Sequence, residues 1–336
     1  MKKVTSFSMG MTSAYLAQLM KKRFGDVDSV LMDTSAEHPK SYKFAGEVID
    51  YFDLNTTIIR LVTSDELGKG NTYEILSSAK ELSFDMVAFN RSMAKYGVPY
   101  IGGMMCTDRM KLGPYTKYCN DKYGKGNYET WLGIRIDEPA RFLGQNLYSL
   151  LNKHFNLDLD DFICIYESIK HDGAGSLRYW FDVIPAEIHN KLFKYARNLH
   201  EKMLKSNIMY MAEISDFTKE DVIDWFEDQP VTLEISEHEG NCVWCPKKSD
   251  LKLAAAQRDN PDLYIEWLEA INSKNVRTGK GTGSVNSMYR GKQSLENLIA
   301  KFDGSTGKEI KQRIKGARMY DSGSCSESCE VFSCGI

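Results

Sequence analysis

The sequence predicts an α/β fold, a parallel sheet flanked by helices (Rossmann-like), with a helical insertion and a C-terminal cysteine-bearing module. Three observations carry this. Short β-prone runs alternate with helical runs from the first residues on, the pattern of strands joined by crossover helices. Small polar residues follow the first two strands, and parallel sheets bind ligands at those carboxyl ends. The 336 residues allow one large domain or two ordinary ones, and 42% hydrophobic with 26% charged residues is the composition of a globular chain.

Residues 4–7 read as the first strand, followed by Ser8-Met9-Gly10 and a helix over 12–22 with Leu16, Leu19 and Met20 on one side. Residues 29–33 form a second strand, 42–52 a second helix and 57–62 a third strand. Residues 64–105 are less regular. Another strand is predicted over 131–136, and 144–210 reads as mostly helical. A helix over 218–226 has Thr218 as its N-cap with Asp221 in its first turn. Shorter helices follow over 250–258, 261–271 and 294–301. Residues 274–287, rich in Gly, Ser, Thr and Asn, read as a mobile loop. The expected organisation is a nucleotide-binding α/β domain over 1–141, a helical insertion over 142–210 and a completing C-terminal module over 211–336.

Fifteen Phe, 18 Tyr and 5 Trp supply ample apolar surface, which excludes general disorder. No uninterrupted apolar run is long enough to cross a membrane. The Met-Lys-Lys opening runs into Lys21-Lys22-Arg23 with no small-residue cleavage site, so the expectation is a cytoplasmic protein with no membrane partner. Net charge is −3, unevenly spread: residues 273–318 hold eleven Lys/Arg against Glu296, Asp303 and Glu309, giving +8 there and −11 elsewhere. That is the footprint of a polyanion partner or, equally, a solvated basic helix face.

Five motifs carry chemistry. Ser8-Met9-Gly10-Met11-Thr12-Ser13 is a small-residue turn at a helix start, suited to phosphate or to a plain capped turn. Asp33-Thr34-Ser35-Ala36-Glu37-His38-Pro39 offers a carboxylate and a histidine to a metal or a ribose, or is a polar turn. Cys106 with Lys111 and Pro114 suggests an anion or metal site, although a single thiol also serves as a small core residue. Arg135 and Arg141 flank Asp137 and Glu138, as a phosphate clamp or an ion-pair cluster. Cys242-Val243-Trp244-Cys245 is a C-x-x-C knuckle that two thiolates could turn toward zinc or an iron–sulfur cluster, with Cys325 and Cys329 as further thiols.

In this order the five motifs resemble those of the phosphoadenosine phosphosulfate reductase family, within the PP-loop ATP pyrophosphatase (adenine nucleotide alpha hydrolase) superfamily. The first resembles S-G-G-x-[DT]-S, with Met9 where Gly is usual. The second resembles D-T-G-x-E-[HF]-P, with Ser35 in place of Gly. The third and fourth resemble C-[CT]-x-x-x-K-x-x-P and G-x-R-x-x-E. Cys106-Thr107 stands where assimilatory reductases pair two cysteines, and Ser333-Cys334-Gly335-Ile336 echoes a reductase tail without its Glu and His.

The resemblance implies an enzyme that binds ATP with Mg2+ through Ser8, Gly10, Met11, Thr12, Ser13, Asp33, Thr34, Glu37 and His38. It would cleave ATP to AMP and pyrophosphate, adenylating or thiolating an acceptor that could be a nucleic acid, tRNA or DNA. Lys111, Arg135 and Arg141 would supply catalytic positive charge. Cys106, Cys242, Cys245 and Cys329 would hold an iron–sulfur cluster or zinc. The alternatives are a sulfonucleotide reductase using Cys334, and a nucleotide-binding protein without turnover.

Overall fold

The computed structural model describes residues 1–64, 66, 68–103, 106–181, 183–236 and 238–317. The strands are β1 (Lys2–Phe7), β2 (Val27–Asp33), β3 (Thr56–Val62), β4 (Thr72–Leu76), β5 (Tyr128–Leu132) and β6 (Ile208–Tyr210). They form one sheet in the order β4-β3-β2-β1-β5-β6. β1 pairs in parallel with β5, β5 with β6 and β2 with β3, while β4 runs antiparallel to β3.

Helices α1 (Met11–Phe24), α2 (Pro39–Tyr51), α3 (Val87–Tyr96) and α4 (Gly113–Tyr123) accompany the first five strands in sequence. Between β5 and β6 come α5 (Pro139–Leu143), α6 (Gln145–His154), α7 (Leu159–Asp172), α8 (Leu177–Trp180) and α9 (Ala186–Lys205). α10 (Lys219–Glu227), α11 (Asp250–Asp259), α12 (Pro261–Ile271), α13 (Leu295–Ala300) and α14 (Gly307–Ala317) follow. Among the described residues no helix is long and apolar enough to cross a membrane.

The chain divides into two compact units. The first comprises Met1–Ser6, Met11–Val27 and Gly124–Pro230; the second comprises Phe7–Gly10, Asp28–Tyr123 and the chain from Val231 on. The expected boundaries at 141 and 210 both fall inside the first unit. Its helices form for local reasons. In α7, Phe162, Ile165, Tyr166 and Ile169 recur at helical spacing and are buried, and Asp158 and Asp161 close a capping box. α10 starts on the predicted Thr218–Asp221 capping box and buries Val222 and Phe226. Tyr15 of α1 stacks on Phe217 at 4.7 Å and meets Trp225 edge-on at 5.1 Å.

In the second unit, Leu61, Phe89, Met93, Trp244, Trp267, Tyr289 and Ile310 belong to one buried apolar cluster. Three expectations change here or in β5. Residues 64–105 do contain regular elements, β4 and α3. β5 ends at Leu132 rather than 136, because Ile134 N–H already turns back to the Leu132 carbonyl. The loop over 274–287 is fastened: Arg277 N–H donates to the Met93 carbonyl at 3.0 Å, and Val98 bridges to Gly283. Its glycines permit this approach, since a Cβ on Gly283 would lie 2.4 Å from the Val98 carbonyl oxygen.

Candidate functional site

The turn after β2 is organised by a buried carboxylate. Asp33 is fully buried, and accepts from Ser35 N–H at 2.7 Å, Tyr42 Oη–H at 3.2 Å, Ser35 Oγ–H at 3.2 Å and Arg60 Nε–H at 2.7 Å. Burial pushes its carboxyl up, against the pull of the Arg60 guanidinium. Both oxygens are engaged within the protein, so Asp33 shapes the turn instead of facing a ligand as expected. His38 is likewise internal. Its Nδ1 accepts from Lys40 N–H at 3.1 Å as the N-cap of α2, which leaves Nε2 to donate to Asn260 Oδ1 at 3.0 Å. A ligand role for His38 is replaced by capping.

Thr34 and Glu37 sit differently. Thr34 Oγ1 donates to Glu37 Oε1 at 3.3 Å and lies 3.5 Å from Cys242 Sγ, whose thiol also reaches Glu37 Oε1 at 3.4 Å. Lys111, buried in a π-helical turn over Thr107–Leu112, places Nζ 3.8 Å from the same carboxylate. Glu37 and Cys242 also pair as a β-bridge. Lys111 and Glu37 were predicted separately; the fold brings them together, with Cys242.

The C-x-x-C knuckle is a turn closed by Cys245 N–H on the Cys242 carbonyl at 3.1 Å. Burial first, and then the Glu37 carboxylate, push the Cys242 thiol up, so it holds its proton at neutral pH. Lys248, 2% exposed, donates to the carbonyls of His238 at 2.8 Å and Val243 at 3.1 Å, and burial pushes it down to about 8. The expected metal set does not assemble. Cys106 is partly buried against the apolar core, Cys329 lies outside the described residues, and the three described thiols share no common centre. Among the described residues, one set of three His, Cys, Asp or Glu ligand atoms lies within 4.8 Å of one another: His238, Glu239 and Asp259. Each is already engaged, His238 with Asp259 at 2.7 Å, Asp259 with Lys311 at 2.8 Å, and Glu239 with Asn260 at 2.8 Å. The described thiols therefore do not fit an iron–sulfur or zinc centre.

In the first unit, Arg135 is buried. It donates from Nε to Asp137 at 2.8 Å and from NH1 to Thr12 Oγ1 at 3.0 Å, while its backbone N–H meets Glu138 at 3.1 Å. Arg141 donates to Glu138 at 2.6 Å. The two arginines thus form the ion-pair alternative, buried rather than on the surface, and one of them orients Thr12 in the first turn of α1. Ser13 is buried, and Ser8, Gly10, Met11 and Thr12 are part exposed.

Two backbone features mark the predicted turns. Met9 has φ 61° and Ser35 has φ 59°, the left-handed region that glycine favours. Gly10 does not have a positive φ, and a Cβ there would meet nothing closer than Ser8 Oγ at 3.9 Å. Packing within its unit therefore does not require a glycine at this position. Sequence reasoning missed Arg60, Tyr42 and Lys248. Arg60 was visible as the one charge in the apolar strand Thr56–Val62, which signals a buried partner. Nothing separated Lys248 from its neighbour Lys247.

No protein-family model matches the chain. Over 335 residues it is 36% identical to a protein of Escherichia phage lambda described as an uncharacterized nin region protein, ORF290, covering 98% of this chain and 94% of that protein.

Proposed function

The chain belongs to the family of the phage lambda nin region protein ORF290, and we propose that it is a PP-loop ATP-utilising enzyme similar to the phosphoadenosine phosphosulfate reductase family. On this reading its sheet is of the adenine nucleotide alpha hydrolase type, and it cleaves Mg-ATP between the α and β phosphates to activate an acceptor.

The observation that carries the reading is the backbone at Met9 and Ser35. These are the two positions where the resembling motifs have glycine, and both hold the left-handed conformation, at 61° and 59°, that glycine would adopt freely. The residue types differ while the turn geometry that the motifs specify is kept. The two turns leave the carboxyl ends of β2 and β1, neighbours in the sheet, where ligands of parallel sheets bind.

The backbone N–H groups at the start of α1, with Ser8, Thr12 and Ser13, would hold the departing pyrophosphate. Arg135 acts by positioning Thr12, its own charge being balanced by Asp137 and Glu138. Lys111 is the proposed counter-charge, with Glu37 holding its ammonium. The absence of a Cβ at Gly10 leaves room for phosphate to approach the backbone. No step is assigned to the thiols.

The test is calorimetric titration of Mg-ATP into the wild type and Gly10→Val, with pyrophosphate release measured on the same samples. The reading expects binding and pyrophosphate from the wild type, and neither from the variant. Equal binding by Gly10→Val would remove the loop assignment. Sulfite release from a sulfonucleotide, without pyrophosphate from ATP, would move the assignment to the reductase.

A further inference from the structure

The basic segment predicted over 273–318 separates in the structure into two parts. In the helical part the cations are answered by acids: Lys301 lies 3.4 Å from Asp250, and Lys311 lies 2.8 Å from Asp259. The loop over residues 273–293 carries Lys274, Arg277, Lys280, Arg290 and Lys292 and contains no acidic residue. Among the described residues no acidic side chain pairs with Lys274, Lys280 or Lys292, and all three are exposed.

This loop is a strap held along its length. Arg277 donates through NH1 to the Lys95 carbonyl at 3.0 Å, and Val98 bridges to Gly283. Ile101 N–H donates to the Met288 carbonyl at 2.9 Å. Tyr289, fully buried, donates its hydroxyl to the Trp244 carbonyl at 2.8 Å, and Arg290 donates to the Lys247 carbonyl at 2.7 Å. The last two bonds fasten the strap to the C-x-x-C knuckle. A fixed backbone holds like charges together that a free loop would spread apart.

We infer that this strap is a docking surface for the phosphodiester backbone of a nucleic acid. Uncompensated cations held on an anchored segment release counterions when they meet a polyphosphate, which favours such a partner. An anionic membrane fits less well. The strap's large apolar residues, Met288 and Tyr289, are buried, so it offers nothing to insert among lipids. Tyr289, its one aromatic residue, being buried, no ring is left to stack on bases. The contacts are therefore to phosphates and independent of sequence. This inference stands apart from the ATP reading.

The experiment is fluorescence anisotropy with the full chain, at salt from 50 to 200 mM, against a labelled duplex DNA and a labelled RNA hairpin, with anionic phosphatidylserine vesicles in parallel. The wild type should bind at least one nucleic acid at low salt and lose it steeply as salt rises. Lys280→Glu with Lys292→Glu should weaken binding roughly tenfold or more at 50 mM and lower the slope of log affinity against log salt by about two, one per lost phosphate contact. Lys153→Glu with Lys191→Glu, exposed lysines of the other unit, changes net charge equally and should leave affinity within about twofold. Unchanged thermal melting of both variants checks the fold. No binding to either nucleic acid, equal losses in the two double variants, or binding to vesicles alone would overturn the inference. Nucleic-acid binding by a chain that binds no ATP would uphold the strap and remove the ATP reading instead.

Discussion

The Cys242 thiol lies 3.4 Å from a Glu37 carboxylate oxygen, and the backbones of the two residues pair as a β-bridge. A turn after the second strand and a knuckle 205 residues later thus share one buried polar cluster, with Thr34 and Lys111 completing it. The thiol acts as a hydrogen-bond donor, which requires its proton. Burial and the carboxylate both favour that protonated form.

Removing the carboxylate charge should therefore make Cys242 more reactive. Glu37→Gln deletes one cause of the raised thiol pKa and leaves the opposing Lys111 in place. Iodoacetamide labelling, read by mass spectrometry at pH 8, should accelerate at Cys242 by about tenfold for each unit by which its pKa falls. Exposed Cys164 serves as the internal reference. An unchanged ratio of the two rates would show that the carboxylate does not control the thiol.

Lys248 gives stability a pH dependence of defined sign. Its folded pKa is pushed down to about 8 by burial, against about 10.4 for an unfolded lysine. Below 8 both states are protonated and the full cost of burying the ammonium is felt. Between about 8 and 10.4 the unfolded chain holds a proton that the folded chain has released, so this group makes stability rise with pH, by about 3 kcal/mol in all. Cys242 acts oppositely, because its raised folded pKa lets the unfolded thiol ionise first as pH climbs past about 8.5. Urea midpoints from pH 7 to 10 for wild type and Lys248→Met isolate the lysine. The variant should lose the rising contribution, and parallel curves would contradict the assignment.

Ser35 should be more tolerant of glycine than of alanine, against the usual order inside a folded chain. Its φ of 59° costs a residue with a Cβ about 1–2 kcal/mol. Its hydroxyl donates to Asp33 at 3.2 Å and accepts from Ala88 N–H at 3.3 Å. Ser35→Gly loses these bonds but relieves the backbone, and should fall within about 1 kcal/mol of wild type. Ser35→Ala loses the bonds without relief, at about 2 kcal/mol, and β-branched Ser35→Val should be worse still. Chemical denaturation ranks the three, and alanine equal to glycine would show that the left-handed backbone carries no cost.

Much of this was legible because periodicity and small-residue turns are local. α1, α2 and the first three strands lie within three residues of their expected ends, and the Thr218–Asp221 cap was readable directly. What was not legible depended on distant partners. Asp33 and His38 look like ligand residues in sequence, yet Arg60, 27 residues on, and Asn260, 222 residues on, occupy them internally. β4 and α3 were missed because the stretch before them is polar, and pairing with β3 rather than intrinsic pattern makes β4 a strand. The thiols were grouped by spacing along the chain, which says nothing about whether Cys106 turns toward the knuckle.

The strap itself can be loosened at one atom. A Cβ on Gly283 would lie 2.4 Å from the Val98 carbonyl oxygen and 2.7 Å from Tyr100 Cδ1, both closer than any real Cβ contact, and the first neighbour is backbone. Gly283→Ala must therefore push the strap away from residue 98 and break the bridge between them. The expected cost is about 1–3 kcal/mol, the usual range for overpacking. Gly304→Ala is the control, since a Cβ there meets nothing within 4 Å and its φ is not positive. Hydrogen exchange localises the effect. The Ile101 N–H, which donates to the Met288 carbonyl at 2.9 Å, should lose protection in Gly283→Ala and keep it in Gly304→Ala. Protection of Asp33–Arg60 amides in the sheet should be the same in both, because local opening of a strap need not open the strands. If Ile101 exchanges at the wild-type rate in Gly283→Ala, the Val98–Gly283 contact is not what holds the strap down.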